Sequence, residues 1–269
     1  MGRKRAAHAA AAREVPISTG IARLEPVPGE PDSWVLFVNG VPSSSITVGD
    51  PLRLDFEYLD WMSRVVDTVF APRTTLRAVH IGAAGCALPR WLDASRPRSR
   101  QTAIDIDAEL VRQVREWFDL PRSPALALRC GDGAEEIATF RDSAVGLVVR
   151  DAFAGDTTPA ALAAPEFFAE VARVLGPGGL YLANIADRPP HAALRAELGE
   201  MRSHFTHLAL VADPGQLRGR RYGNVVVAGT QEPIDAVGLA KAMRRGPAVA
   251  SVRCGDALDA FIDHGSRAG

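Results

Sequence analysis

Residues 78–87 read AVHIGAAGCA, a short apolar strand that runs directly into a loop of small residues. Small residues allow the backbone to approach a ligand and allow the next helix to begin close to the sheet. Tight turns between strands and helices also collect glycine for packing alone, so the loop by itself is weak evidence for a binding site. The order of the segments that follow it decides the fold class.

The chain after residue 75 alternates between strand-like and helix-like patterns. Seven apolar runs predict strands, which lie at 78–81, 103–106, 125–129, 145–149, 180–185, 208–211 and 224–228. Helical patterns lie between them, at 108–118, 165–175 and 192–202, and glycines at 176–179 predict a helix stop. The last two strands are joined only by a loop and are expected to be antiparallel. The alternation predicts an α/β fold with a doubly wound, mostly parallel, seven-stranded Rossmann-like sheet.

A small antiparallel unit is expected before this sheet. Residues 34–38 are apolar, Asn39-Gly40 follows as a hairpin turn, and 41–48 can form the return strand beside 21–27. A helical pattern then covers 54–70. We therefore predict four parts of the chain: a disordered tail over 1–16, a small N-terminal β-hairpin domain over 17–50, a Rossmann-like cofactor-binding catalytic domain over 51–235 and a C-terminal helical extension over 236–269.

Composition narrows the class of protein. The chain has 269 residues, 47% of them hydrophobic, and a net charge of −1, so no overall field attracts nucleic acid. It has no run of 18 apolar residues and no signal-peptide pattern, which predicts no membrane partner. Its three cysteines are widely spaced and odd in number, which predicts reduced thiols, a cytoplasmic location and no metal site.

Acidic residues follow three further strands. Asp105 ends the second strand, Asp132-Gly133 follows the third and Asp151 ends the fourth. In open α/β sheets ligands bind at this carboxyl edge, where an aspartate can accept both ribose hydroxyls and another can accept from an adenine amino group. Each aspartate could instead cap a helix or form a turn. Their order after the glycine loop favours a nucleoside site made of Gly82, Gly85, Asp105, Asp132 and Gly133.

The whole arrangement resembles the spermidine synthase-like branch of the class I adenosylmethionine-dependent transferases. The resemblance covers residues 21–230 and is carried by the 38–44 hairpin, Asp50-Pro51, Phe56-Glu57-Tyr58, the 104–107 and 131–133 motifs, Asp151-Ala152-Phe153, Pro159, Leu162 and the 165–168 segment. It implies that an adenosylmethionine-type cofactor, intact or decarboxylated, binds at the glycine loop. It also implies that Asp151 assists an amine nucleophile that takes the aminopropyl group.

The amine half departs further from the family pattern than the cofactor half does. Gly85 stands where the family's glycine loop carries an acid, and Ser43 stands where its hairpin carries a glutamine. Arg64 replaces the histidine late in the tyrosine-containing helix, and the position of the second catalytic acid falls near Ala154. No tyrosine lies in register before the last strand, since Tyr222 is only nearby.

Tyr58 and Asp156 are the expected substrate-binding residues. Helical spacing alone would place Tyr58 in the core. Asp156 is expected as a substitute for the second catalytic acid, which is absent near Ala154. The resemblance implies a transferase that forms a homodimer and acts on a small amine or other small acceptor. A methyltransferase on the same scaffold and a non-catalytic nucleoside- or polyamine-binding protein are the alternatives.

Overall fold

The computed structural model describes residues 12–219 and 222–263, and in this part of the chain the elements form two sheets and the helices around them. The strands are β1 Arg13–Ile17, β2 Gly20–Val27, β3 Glu30–Val38, β4 Val41–Thr47, β5 Arg77–Ile81, β6 Arg100–Asp105, β7 Leu126–Cys130, β8 Val145–Arg150, β9 Leu175–Asp187, β10 His207–Ala212, β11 Gly223–Thr230 and β12 Ser251–Cys254. The helices are α1 Glu57–Val69, α2 Ala87–Ser95, α3 Ala108–Trp117, α4 Gly133–Ala138, α5 Pro165–Val174, α6 Ala192–Met201, α7 Pro214–Leu217, α8 Ala236–Arg245 and α9 Asp256–Asp263, with a short 3-10 helix at Ala160–Ala163.

The N-terminal sheet is antiparallel in the order β1-β2-β3-β4. The predicted hairpin is present, since β3 and β4 pair on either side of the turn at Asn39 and Gly40. The prediction of a disordered tail over residues 1–16 is wrong for residues 13–16, which lie in β1 and pair with β2. An edge partner supplies the backbone hydrogen bonds that β2 would otherwise lack. The rest of the predicted tail, residues 1–11, lies outside the described residues.

The main sheet has the order β12-β10-β11-β9-β8-β5-β6-β7. Strands β5 to β9 are parallel, as predicted, and β10 to β12 are antiparallel to their neighbours. The sheet has eight strands rather than the seven predicted, because β12 forms within the expected helical extension and pairs with β10. Four residues are too few for a reliable sequence pattern, and pairing with an open sheet edge stabilises them.

The glycines at 176–179 do not end α5 as predicted. The helix ends at Val174, Leu175 is already extended with a φ of −72° and a ψ of 130°, and β9 begins there. Leu175 pairs with Val145 at the start of β8. Pairing with β8 therefore draws the chain out of the helix one residue before the first glycine.

Helices cover both faces of the main sheet, which confirms the doubly wound arrangement. Buried apolar residues of α1, α2, α3 and α8 pack on one face together with the N-terminal sheet. Those of α4, α5, α6 and α9 pack on the other. None of the helices within the described residues has the length and apolarity needed to span a bilayer.

Asp107 joins the N-terminal sheet to the main one. Its carboxylate caps α3 by accepting from the Leu110 backbone N–H at 2.8 Å. It also accepts from the backbone N–H of Thr19 at 2.6 Å and from the Thr19 hydroxyl at 2.8 Å. The side chain of Asp107 is buried. This single carboxylate therefore fixes the β1–β2 turn over the carboxyl edge of the main sheet.

Candidate active site

The predicted site residues lie on neighbouring strands at one edge of the sheet. Gly82, Asp105 and Asp151 follow or end β5, β6 and β8, and Asp132 follows β7. These strands are adjacent in the order β8-β5-β6-β7. Because all four are parallel, their carboxyl ends meet at the same edge. The sheet therefore brings the glycine loop and the three acidic positions together.

Gly82 is required by the close approach of two strand ends. Its φ is +83°, and a Cβ built on it would lie 2.1 Å from the backbone oxygen of Asp151. The Asp151 N–H donates to the carbonyl of Ile81 at 2.8 Å, which continues the β5–β8 pairing into the loop. A side chain at Gly82 would therefore push the glycine loop away from Asp151.

Asp105 holds the glycine loop as well as bordering it. One carboxylate oxygen accepts from the backbone N–H groups of Ala83 at 3.1 Å and Ala84 at 3.3 Å, and the other accepts from the Asp107 N–H at 3.0 Å. The carboxylate has about four acceptor positions, so capacity remains for a ligand hydroxyl. These hydrogen bonds therefore tie the loop to the predicted ribose acceptor.

Asp132 caps α4, the alternative role that its sequence position allowed. Its Oδ1 accepts from the N–H groups of Ala134 at 2.7 Å and Glu135 at 3.4 Å, and Oδ2 makes no hydrogen bond within the described residues. Gly133 permits close packing, because a Cβ there would lie 2.3 Å from the Ile81 side chain. The cap therefore fixes Asp132 in place and leaves one oxygen for a ligand.

Gly85 lies against the N-terminal sheet. Its backbone N–H donates to the hydroxyl of Ser44 at 2.9 Å. A Cβ on Gly85 would lie 2.8 Å from the Ser44 Cβ and 3.1 Å from its hydroxyl oxygen. Without a shift of Ser44, the loop has no room for the acidic side chain that the family pattern places there. The packing of the hairpin on the loop therefore accounts for the glycine at position 85, where the family pattern has an acid.

Two donors from different elements hold the Asp151 carboxylate. The Tyr58 hydroxyl of α1 donates to Oδ2 at 2.9 Å, and the Asn184 amide of β9 donates to Oδ1 at 2.9 Å. Burial raises the pKa of Asp151 above its ordinary value, while these two hydrogen bonds and the charge of Arg150 act in the opposite direction. The pKa of Tyr58 lies well above its ordinary value because of burial and the Asp151 charge, so its hydroxyl remains a donor.

Arg150 does not form an ion pair with Asp151, although the two are adjacent in sequence. Successive residues of a strand point to opposite faces of the sheet. Arg150 is fully buried on the other face, where it lies 2.6 Å from Glu197 of α6 and donates to the Leu162 carbonyl at 2.7 Å. The guanidinium therefore has its own buried counter-charge, and the Asp151 carboxylate is left for the cleft beside it.

A cleft borders Asp151 between the glycine loop, the hairpin and α1. Among the described residues, Asp151 is the one acidic residue that lines it. The wall also includes Tyr58, Ser43 and Ser44, residues 82–84, and the buried His80 of β5. The structure does not bring Asp156 to this cleft. Asp156 pairs with Arg188 at 3.1 Å and borders a second cleft beside α6 and Tyr222.

Asn184, which donates to Asp151, is absent from the residues predicted from the sequence. It is the one polar side chain in the apolar run 180–185, and that isolation was the available signal. Its position beside Asp151 depends on the pairing of β9 with β8, in which Arg150 lies opposite Ala183. No group of three or more His, Cys, Asp or Glu residues suited to a metal ion occurs within residues 12–219 and 222–263.

The chain is similar to a family of methyltransferase domains and to curated aminopropyltransferases. Residues 79–183 match the methyltransferase domain family. A polyamine aminopropyltransferase of Neisseria meningitidis is 29% identical over 146 residues, which cover 52% of this chain and 53% of that protein. The chain thus spans about half the length of the curated relatives that it matches.

Solved structures extend the likeness to nearly the whole chain. A probable spermidine synthase from Corynebacterium glutamicum is 32% identical, has a TM-score of 0.87, and aligns over 96% of this chain and 94% of its own. A spermidine synthase in complex with the transition state analogue AdoDATO shares the fold at 13% identity, with a TM-score of 0.62 over 87% and 78% of the two chains. The chain belongs to the spermidine synthase-like (polyamine aminopropyltransferase) family of the class I adenosylmethionine-dependent transferases.

Proposed function

We propose that this protein is a transferase that binds an adenosylmethionine-type cofactor and moves its aminopropyl group to an amine, with Asp151 as the base. The observation that carries the proposal is the Asp151 carboxylate, held by Tyr58 and Asn184 beside the glycine loop. A nucleoside cofactor bound at this loop would bring its reacting centre close to the carboxylate.

The reaction requires little chemistry from the protein beyond positioning and proton transfer. An alkylammonium cannot attack until it loses a proton, which the Asp151 carboxylate accepts. The amine nitrogen then forms a bond to the carbon beside the sulfonium, and the carbon–sulfur bond breaks with its electrons going to sulfur. The leaving group is a neutral thioether, methylthioadenosine. Before it accepts this proton, the negative charge of Asp151 also favours binding of the cationic amine and sulfonium.

The nucleoside half of the cofactor would lie along the carboxyl edge of the sheet. Asp105 would accept the ribose hydroxyls beside the loop residues whose backbone it holds. The Oδ2 atom of Asp132, which has no partner within the described chain, would accept from the adenine amino group. Gly82 and Gly133 would keep the loop and α4 close enough to the sheet for both contacts.

Methyl transfer from intact adenosylmethionine is the second candidate function, and the contact between Gly85 and Ser44 favours it. An acid at position 85 would repel the carboxylate of the methionine chain, and the packing leaves no space for one. The loss of that acid makes the site less hostile to the intact cofactor. The cytoplasmic location and the homodimer expected from the sequence remain predictions.

A product assay separates the two reactions. The protein is incubated with decarboxylated adenosylmethionine or with the intact form, together with a panel of small amines, and the nucleoside product is identified by mass spectrometry. We expect methylthioadenosine to form from the decarboxylated donor, in an amount equal to the aminopropylated amine. Adenosylhomocysteine from the intact donor would instead establish methyl transfer. Enzyme that binds both nucleosides and forms neither product would support the non-catalytic alternative.

A further inference from the structure

His80 lies on the same face of the sheet as Asp151 and borders the same cleft. In the parallel pairing of β5 with β8, His80 is opposite Val149, and Asp151 is two residues further along the chain. A step of two residues along a strand is about 6.6 Å and neighbouring strands are about 4.8 Å apart, so the two Cα positions are about 8 Å apart. The cleft that both residues border is about 30 Å³ in volume, so a short chain that spanned this distance would have to widen it.

The hydrogen bonds of His80 define which ring nitrogen can meet a ligand. The Gln101 amide nitrogen donates to the Pro89 carbonyl at 3.0 Å, which leaves the Gln101 oxygen as the acceptor facing the Nε2 of His80 at 2.9 Å. This network assigns the ring proton to Nε2. The Nδ1 atom then carries a lone pair, and it makes no hydrogen bond within the described residues.

The ring is neutral at physiological pH. His80 is 2% exposed, and burial lowers the pKa of its imidazole to about 4, although the Gln101 hydrogen bond acts in the other direction. A neutral imidazole neither repels an amino group nor attracts a carboxylate. The cleft therefore presents a carboxylate at Asp151 and a neutral hydrogen-bond acceptor at His80, which suits an aminoalkyl chain and disfavours a chain that ends in a carboxylate.

We propose that the Nδ1 atom of His80 accepts a hydrogen bond from the terminal amino group of an aminoalkyl chain that lies in the cleft and extends from the reacting centre at Asp151. This inference rests on the proposed function and assigns a binding role to a residue outside its reaction steps. The chain belongs either to the nucleoside donor or to the amine acceptor, and both carry the same chemistry. In either case His80 supplies a hydrogen-bond acceptor in the cleft that Asp151 borders.

The test compares His80→Leu with His80→Gln, because leucine removes the acceptor and glutamine retains one at similar reach. Calorimetric affinities are measured for decarboxylated adenosylmethionine and for methylthioadenosine, which lacks the amino group. The KM of the amine acceptor is measured in parallel, and melting temperatures report on folding. We expect His80→Leu to weaken one of the two amino compounds by roughly tenfold, with methylthioadenosine affinity unchanged and with recovery in His80→Gln.

Each outcome has a distinct meaning. Weaker binding of the decarboxylated donor assigns the chain to the donor, and a raised KM for the amine with unchanged donor affinity assigns it to the acceptor. If His80→Leu lowers only the melting temperature and changes neither quantity, His80 is a structural residue and the inference is wrong. If wild-type protein binds methylthioadenosine normally in that case, the proposed nucleoside site survives; if it binds none of the compounds, the proposed function fails as well.

Discussion

Replacing Asp151 by asparagine is expected to lower turnover by roughly 10²–10⁴-fold, the usual contribution of a positioned general base. The variant keeps the shape of the side chain and an oxygen for one of its two donors, Tyr58 or Asn184. Nucleoside affinity should change little, because the proposed ribose and adenine contacts belong to Asp105 and Asp132. Steady-state kinetics on the variant, with a parallel calorimetric titration of methylthioadenosine, measures both quantities.

The pH–rate profile adds an independent readout of the same carboxyl group. Because burial raises the pKa of Asp151, the base should lose activity as the pH falls through a value above the ordinary 3.8. The acidic limb of the wild-type profile should disappear in the residual activity of Asp151→Asn. A variant with a lower melting temperature but wild-type turnover per folded molecule would show that Asp151 is structural. The separate pairing of Arg150 with Glu197 argues against that outcome.

Replacing Asp105 by alanine is expected to weaken nucleoside binding by about 100-fold or more, since hydrogen bonds to a charged group are worth about 1.5–3 kcal/mol each. Two effects contribute in the structure. The ribose would lose its acceptor, and the backbone N–H groups of Ala83 and Ala84 would lose theirs, so the glycine loop would also lose its support. Titration calorimetry with methylthioadenosine gives the change in affinity.

Asp107→Ala is the matched control, because it removes a carboxylate two residues away that does not border the glycine loop. It should destabilise the fold through loss of the α3 cap, worth about 1 kcal/mol, and of the contacts with Thr19. Its nucleoside affinity should stay near that of the wild type. Equal losses of affinity in Asp105→Ala and Asp107→Ala, with unchanged melting temperatures, would refute the assignment of the ribose site.

The sequence predicted the parallel strands of the main sheet, but it did not predict the edge strands of the two sheets. Strands β5, β8 and β9 contain apolar runs that are buried on both faces, and such runs are visible without knowledge of their partners. Strands β1 and β12 are short edge strands stabilised by pairing with β2 and β10, which the local sequence does not encode. Edge pairing is a tertiary effect, and it overrides the tail and the helix expected at these positions.

The site shows the same division between local and long-range information. Asp105, Asp132 and Asp151 each end or follow a strand, so their common edge could be inferred from the chain alone. The positions of Asn184 and His80 beside Asp151 depend on the register of β8 with its two neighbours. The caps formed by Asp107 and Asp132 follow local rules, whereas the contact between Gly85 and Ser44 joins residues 41 positions apart and needed the structure.

The most direct test of the account is a calorimetric titration of the wild-type protein with methylthioadenosine, adenosylmethionine and decarboxylated adenosylmethionine. The central claim is that the loop at Gly82, together with Asp105 and Asp132, forms a nucleoside site at the carboxyl edge of the sheet. We expect saturable heat from at least one of the three compounds at millimolar concentration or below, and its loss in Asp105→Ala. Folded protein that gives no heat with any of the three compounds would contradict the claim.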